Sequence, residues 1–280
     1  MGASKSTCDS PTSPAAIVIS TSLWSMPNTD AARACCSRVN VRVVYSVTRH
    51  HDDSGRCMAP QKVFDSADAY TTSITTLLPA HALMREIAIA SLVAQTPERG
   101  TLGVVGCGPG DELVALAAAF PGWDIIAFEP AEAMARTATE RLRVEGLAAQ
   151  VRVIPRALRP ADAPDWDAAI CLMVTHFIAP GSARRDFWKT WARHLRPGAP
   201  WVLSEIVATT PKEREAWVRW ARQQGASEVE LKRLDARLAG DGFYVLPEHD
   251  TLLMAEQAGL LAPCTLLQVL GVRMWSGTRG

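Results

Sequence analysis

The sequence has no excess of charge of either sign and no long apolar run. Its 29 Lys and Arg residues balance 29 Asp and Glu residues, so no broad basic face for nucleic acid is expected, although a local basic patch stays possible. No apolar run approaches the roughly 18 residues that a transmembrane helix needs, which predicts no membrane span. With 280 residues, 48% of them hydrophobic, the chain is long enough to bury one sizeable core.

Paired cysteines and metal-ligand patterns are also lacking. The seven cysteines are an odd number, contain no Cys-x-x-Cys pattern and have no matching histidine pairs, so neither a disulfide framework nor a structural zinc site is predicted. We therefore expect no metal, free thiols and a cytoplasmic location.

The first 57 residues differ from the rest of the chain. Ser, Thr, Asn, Asp and Pro are frequent there, the apolar pieces are short, and no basic leader typical of a signal peptide precedes them. We expect residues 1–57 to be a poorly ordered extension and residues 58–280 to form the folded domain.

Strand-like and helix-like segments alternate from residue 100 onward. Apolar runs predict strands near residues 102–106, 124–128, 151–154, 168–173 and 201–206, with helices between them. This alternation predicts an α/β fold with a parallel, right-handedly connected sheet. Helical patterns also predict an amino-terminal lid over residues 63–97 and a cap over residues 211–246, with one long helix at residues 212–238.

A glycine-rich turn follows the first predicted strand. Gly106, Cys107, Gly108 and Gly110 stand between that strand and the next helix, where glycine lets a ligand approach the main chain closely. Glu129 ends the second strand, where a carboxylate can accept hydrogen bonds from ribose hydroxyls. The glycine turn and Glu129 together predict a site for a nucleoside.

The residue after the turn narrows the ligand further. A dinucleotide-binding turn needs a third glycine where this chain has Asp111, and an acid there would repel a pyrophosphate. No Lys-Ser or Lys-Thr pair follows the glycines, so the P-loop pattern is absent as well. The ligand is therefore predicted to be a nucleoside without phosphates.

Taken together, these motifs resemble class I S-adenosylmethionine-dependent methyltransferases. The similarity lies in residues 104–112, in the Phe128-Glu129-Pro130 run with Met134, and in residues 194–205, and it extends over roughly residues 63–279. It implies a Rossmann-like, doubly wound sheet of seven strands, mostly parallel, that ends in an antiparallel hairpin. It also implies S-adenosylmethionine as the cofactor.

Within this family the chain is similar to the small-molecule branch and to the carboxy-S-adenosylmethionine synthases. An aromatic residue of those synthases is replaced here by Ala226, which argues against the same product.

The resemblance implies a role for each residue of the cofactor site. Glycine backbone lines the methionine portion, Glu129 binds the ribose, Met134 packs on the adenine, and main-chain groups after the third strand read the adenine edge. Met173 and His176 border the sulfonium and the substrate. The predicted cofactor-binding residues are Gly106, Cys107, Gly108, Gly110, Glu129, Pro130, Met134, Arg156, Ala157 and Met173.

Methyl transfer needs alignment and exclusion of water, and a base only where the nucleophile carries a proton. The candidates are His176 and His81, with Tyr70 as an aromatic side chain over the sulfonium. The predicted function is methylation of a small molecule in secondary or amino-acid metabolism, with a homodimer as the candidate assembly.

Three alternatives stay open at this stage. The same fold can serve a cyclase or lyase that converts the cofactor itself into methylthioadenosine and an azetidine-type cyclic amino acid. It can also serve an RNA or protein methyltransferase, or a catalytically silent partner that binds the cofactor.

Overall fold

A single seven-stranded sheet forms the centre of the protein in the computed structural model, which describes residues 73–162 and 165–280. In spatial order the strands run β3-β2-β1-β4-β5-β7-β6. Their bounds are β1 Gly100–Val105, β2 Trp123–Phe128, β3 Val151–Ile154, β4 Ala168–Leu172, β5 Pro200–Ile206, β6 Leu260–Val269 and β7 Val272–Arg279.

Seven helices with bounds inside the described residues flank this sheet. They are α1 His81–Val93, α2 Asp111–Ala119, α3 Glu132–Val144, α4 Ser182–His194, α5 Pro211–Gln223, α6 Glu228–Leu238 and α7 Glu248–Gln257. A short 3₁₀ turn, Thr175–Phe177, follows β4. Every helix in this part of the chain is too short or too polar to cross a bilayer.

The strand directions confirm the predicted fold class. Strands β1 to β5 pair in parallel, and β7 pairs antiparallel with both β5 and β6. Val105 lies opposite Phe128 in the β1–β2 register. The glycine turn after β1 and Glu129 after β2 therefore leave the sheet at the same level, at its carboxyl edge.

Two hydrophobic clusters, one containing α1 and the other the tryptophans of α4, account for the long apolar runs of the central strands. All seven residues of β5 are buried, as expected for a strand covered on both faces. Three tryptophans of the helices, Trp188, Trp191 and Trp217, are fully buried, whereas Trp220 is only partly buried.

The cap differs from the sequence prediction. Residues 212–238 do not form one long helix, because the chain breaks between α5 and α6 at Gly225, whose φ is 91°. Ser227 then begins α6 with a capping box, in which its side chain accepts from the Glu230 backbone N–H and the Glu230 carboxylate accepts from the Ser227 N–H. A glycine in the left-handed region followed by a strong amino-terminal cap ends one helix and starts another.

The lid is described in part. Residues 73–77 are helical and α1 follows them. The start of the lid, the predicted extension over residues 1–57 and Tyr70 lie outside the described residues.

Candidate functional site

The glycine turn has a backbone that side chains rarely adopt. Gly106, Gly108 and Gly110 have φ values of 77°, 51° and 86°, in the left-handed region that favours glycine. A Cβ on Gly106 would also lie 2.3 Å from the Val174 Cγ2 atom. Both the conformation and the close approach therefore require glycine at position 106.

Glu129 connects the turn to the end of β2. Its Oε2 accepts a hydrogen bond from the Gly108 N–H at 2.9 Å, and its Oε1 accepts one from the Ala131 N–H at 2.8 Å. Burial raises the pKa of this carboxyl group, and the two backbone hydrogen bonds oppose that shift. Each carboxylate oxygen has room for a further hydrogen bond, so two ribose hydroxyls can be bound here.

The predicted adenine-binding residues lie on the β2 and β3 side of the turn. Met134 is buried in α3, while Pro130 and Ala157 are exposed. The Arg156 guanidinium donates to both Asp162 oxygens, at 2.8 and 2.5 Å, and lies 5.6 Å from the centre of the Phe128 ring. Since the Arg156 side chain already has these partners and its N–H donates to the Ile154 carbonyl at 2.8 Å, its own carbonyl is the group that remains for a ligand.

A small cavity lies on the other side of the turn, towards β4. Its lining comes from α1, from the turn, from the start of α2 and from the end of β4, and comprises His81, Met84, Arg85, Gly106, Cys107, Gly108, Pro109, Asp111, Glu112, Leu172 and Met173. Its volume is about 30 Å³, which holds roughly two water molecules. Pockets for whole ligands measure roughly 300 Å³ or more, so this cavity alone does not hold a whole nucleoside cofactor.

Met173 has an unusual backbone at the β4 end of this cavity. Its φ is 59°, which is uncommon for a residue with a side chain. The Met173 N–H donates to the Ser204 carbonyl at 2.9 Å and lies 3.1 Å from the Ser204 hydroxyl. These contacts to β5 hold Met173 at the cavity, where its role was predicted.

Sequence reasoning missed two charged residues of the cavity, Arg85 and Glu112. Desolvation by burial, with a contribution from nearby Glu129, raises the pKa of Glu112 to about 8, although Arg85 opposes the shift. Burial, together with Glu112 and Glu129, raises the pKa of the Cys107 thiol far above its usual value. The thiol therefore stays protonated. A raised carboxyl pKa beside a cavity is typical of functional sites.

The histidines chosen from the sequence lie in different surroundings. His81 lines the cavity, and burial together with Arg85 lowers its pKa. His176 is buried with its ring centre 4.3 Å from that of Phe177 and 4.7 Å from that of Phe243, and it does not line the cavity. Burial first, and then Arg184 and Arg237, lower the pKa of His176 to about 3.

A buried ion pair lies behind the 3₁₀ turn. Arg184 of α4 and Glu205 of β5 have no exposed side-chain surface, and their Nη1 and Oε1 atoms are 3.3 Å apart. Arg184 also donates to the Ile178 and Tyr244 carbonyls, and the Thr175 hydroxyl donates to Glu205. The pair therefore joins the sheet to the loop after β4 and to the end of the cap.

The polar groups of the site fit S-adenosylmethionine. The turn presents backbone and two carboxyl groups, Glu129 and Glu112, which suits ribose hydroxyls and a cationic chain better than phosphates. In the described ranges no group of three or more His, Cys, Asp or Glu side chains is arranged to hold a metal.

Comparisons with known proteins agree with this geometry. A family model described as a methyltransferase domain matches residues 104–200. An O-methyltransferase family protein from Burkholderia thailandensis superposes with a TM-score of 0.57 and 13% identity, over 76% of this chain and 59% of that one. Mitomycin 7-O-methyltransferase superposes with a TM-score of 0.52 and 18% identity, over 76% of this chain and 58% of that one.

A third solved structure is a geranyl diphosphate C-methyltransferase from Streptomyces coelicolor A3(2), in complex with S-adenosyl-L-homocysteine. It superposes with a TM-score of 0.52 and 14% identity, over 77% of this chain and 82% of that one. This chain spans less than two thirds of the length of the first two structures, and identities this low show the fold alone. The curated proteins give no match.

Proposed function

Because this chain carries a class I S-adenosylmethionine-dependent methyltransferase domain with S-adenosylmethionine as its cofactor, we propose that it transfers the sulfonium methyl group to a small-molecule acceptor. The observation that carries the proposal is the Glu129 carboxylate, which accepts hydrogen bonds from Gly108 and Ala131 at the shared level of β1 and β2. This carboxylate brings the proposed ribose site next to the glycine turn.

The bound cofactor supplies a methyl group that its positive sulfur already activates. The protein then has to hold the nucleoside, align the acceptor and exclude water. In this proposal Glu129 binds the ribose, Met134 packs on the adenine, and the backbone of residues 106–110 lies along the chain that leads to the sulfur. Met173, fixed by its contacts to Ser204, borders the reacting carbon.

A base is needed only for acceptors that lose a proton. His81 is the better placed of the two histidines, because it lines the cavity and its lowered pKa leaves it neutral at pH 7. A pKa of about 3 makes His176 a weak proton acceptor, and its contacts with Phe177 and Phe243 favour a packing role.

Two observations support a small acceptor. The formal charge of the chain is zero, which does not suit a nucleic-acid substrate. The solved structures of similar fold include enzymes whose names refer to mitomycin and to geranyl diphosphate. We also propose a cytoplasmic location, because Cys107 and Cys171 are free and buried.

Mass spectrometry after incubation of the pure protein with S-adenosylmethionine alone tests the reaction type. The expected result is an unchanged cofactor until an acceptor is added, and S-adenosylhomocysteine afterwards. Methylthioadenosine together with a cyclic amino acid, without any acceptor, would replace the methyltransferase proposal by the cyclase alternative.

A further inference from the structure

The cavity beside the glycine turn is lined by one basic and one acidic side chain that form no ion pair with each other. Arg85 of α1 and Glu112 of α2 both line it, yet among the described residues neither side chain has an ion pair or a hydrogen bond. Each is partly buried. A guanidinium and a carboxyl group thus lie at one cavity with their polar atoms available.

Two neighbouring acidic side chains, Asp111 and Glu129, have the kind of partner that Glu112 lacks within the described residues. Asp111, one residue earlier, forms an ion pair with Arg141 of α3. Glu129 has both oxygens engaged by backbone N–H groups. Glu112 alone of these three lacks such a partner within the described structure, and it lies near the like-charged Glu129. Leaving a buried carboxyl group without a partner is unfavourable, unless a ligand supplies a cation.

The sheet order tells which part of the cofactor reaches this cavity. Glu129 follows β2, whereas Leu172 and Met173 follow β4, on the opposite side of β1. With the ribose at Glu129, the chain from the nucleoside past the glycine turn runs towards β4. It ends in an amino acid, which carries one ammonium group and one carboxylate group.

We infer that Glu112 accepts hydrogen bonds from the α-ammonium group of S-adenosylmethionine and that Arg85 donates to its α-carboxylate. This assignment rests on the proposed function, because it takes the ribose position from Glu129. It also places α1, which carries Arg85, against the amino-acid end of the cofactor.

Titration calorimetry with three ligands tests the assignment on the full chain. S-adenosylhomocysteine has both charged groups, its decarboxylated analogue keeps only the ammonium, and methylthioadenosine has neither. For Glu112→Gln we expect the affinity for S-adenosylhomocysteine to fall at least about tenfold, with that for methylthioadenosine unchanged. For Arg85→Gln we expect the same loss with S-adenosylhomocysteine and no loss with the decarboxylated ligand. Glu86→Gln, an exposed neighbour on α1, is the control and should change nothing.

Each other outcome overturns the assignment. Equal losses for methylthioadenosine would mean that the variants disturb the turn itself, and unchanged binding of S-adenosylhomocysteine would place its charged end elsewhere. A loss by Glu112→Gln for S-adenosylmethionine but not for S-adenosylhomocysteine would assign Glu112 to the sulfonium. If the wild-type protein bound neither S-adenosylhomocysteine nor methylthioadenosine, the proposed function would fail together with this inference.

Discussion

At the scale of single residues, the Glu129 carboxylate connects the glycine turn to the chain that follows β2. Glutamine in place of Glu129 keeps one acceptor oxygen, but its amide nitrogen cannot accept from either the Gly108 or the Ala131 N–H. We expect Glu129→Gln to weaken S-adenosylhomocysteine and methylthioadenosine binding equally, by at least about tenfold. Calorimetry measures this, with the exposed Glu132→Gln as control. Undiminished methylthioadenosine affinity would show that the ribose does not lie at Glu129.

Glu112 should make the stability of the ligand-free protein depend on pH. Its folded-state pKa of about 8 lies above its usual 4.5, so the folded state holds a proton that the unfolded state loses between these values. Stability is then full below about pH 4.5 and falls as pH rises towards 8, by up to roughly 1.4 kcal/mol per pH unit. The charged or titratable groups near Glu112 are Arg85, Glu129, Cys107 and Cys171, with His81 on the same cavity.

The measurement is chemical denaturation of wild-type protein and Glu112→Gln at pH 5 and pH 8. We expect the two proteins to differ little at pH 5, and the variant to be the more stable one at pH 8. An equal loss of stability in both proteins over this range would assign the pH dependence to another group.

Residues differ in how far the sequence reveals them. Glu129 was predicted, because its role depends on a short spacing from the glycine turn to the end of the next strand. Arg85 and Glu112 were not, because only tertiary packing brings α1 over the turn. Asp111 and Glu112 also look alike in sequence, as two acids in the first turn of a helix, and the pairing of Asp111 with Arg141 depends on how α2 packs on α3.

At the scale of elements, hydrogen bonds join the cap and the lid, and one of them runs from the Ser73 hydroxyl to Glu230 at 3.4 Å. The Trp217 indole N–H of α5 donates to the Leu77 carbonyl at 2.7 Å. Trp217→Phe keeps an aromatic ring but leaves that carbonyl without its donor, at a cost of about 1 kcal/mol. We expect a lower unfolding midpoint and faster amide exchange near residues 73–77 and in α1. Trp220→Phe is the matched control, and equal exchange in both variants would show that this bond does not hold the lid.

The break in the cap shows where periodicity misleads. The helical pattern through residues 212–238 favoured one helix. Gly225 and the Ser227 to Glu230 capping box were visible in the sequence. Local backbone preference at these residues outweighed the apolar periodicity.

At the scale of the whole molecule, the Arg184–Glu205 pair connects α4, β5 and the segments around the site. Burial raises the pKa of Glu205 to about 7 and lowers that of Arg184, while their attraction opposes both shifts. Glu205→Leu leaves the arginine charge without its partner, so we expect unfolding to become easier by about 3–5 kcal/mol. The measurement is urea denaturation.

The double variant Arg184→Leu/Glu205→Leu separates the effect of an unpaired charge from the effect of the changed packing. It removes both charges, so we expect it to recover part of the lost stability; the Ile178 and Tyr244 carbonyls still lose their donor. A double variant no more stable than Glu205→Leu would show that the leucine itself, rather than the unpaired charge, disturbs the core.

The sheet as a whole was predicted from two kinds of information. Alternation of strands and helices was enough for the parallel half, where each strand follows a helix. The antiparallel hairpin came from the family resemblance, because nothing in its apolar pattern tells which neighbour β7 takes. Its position between β5 and β6 is a long-range pairing that local sequence does not encode.

That position of β7 has a consequence for how the chain matures on the ribosome. Strand β5 is buried along its whole length, yet its second neighbour is the last of the seven strands to be synthesised. Until residues 272–279 emerge, β5 presents an open, apolar edge, a template for pairing with other chains. Pairing with β7 therefore closes this edge of β5 last, after the strands that lead to the glycine turn and to Glu129 have been synthesised.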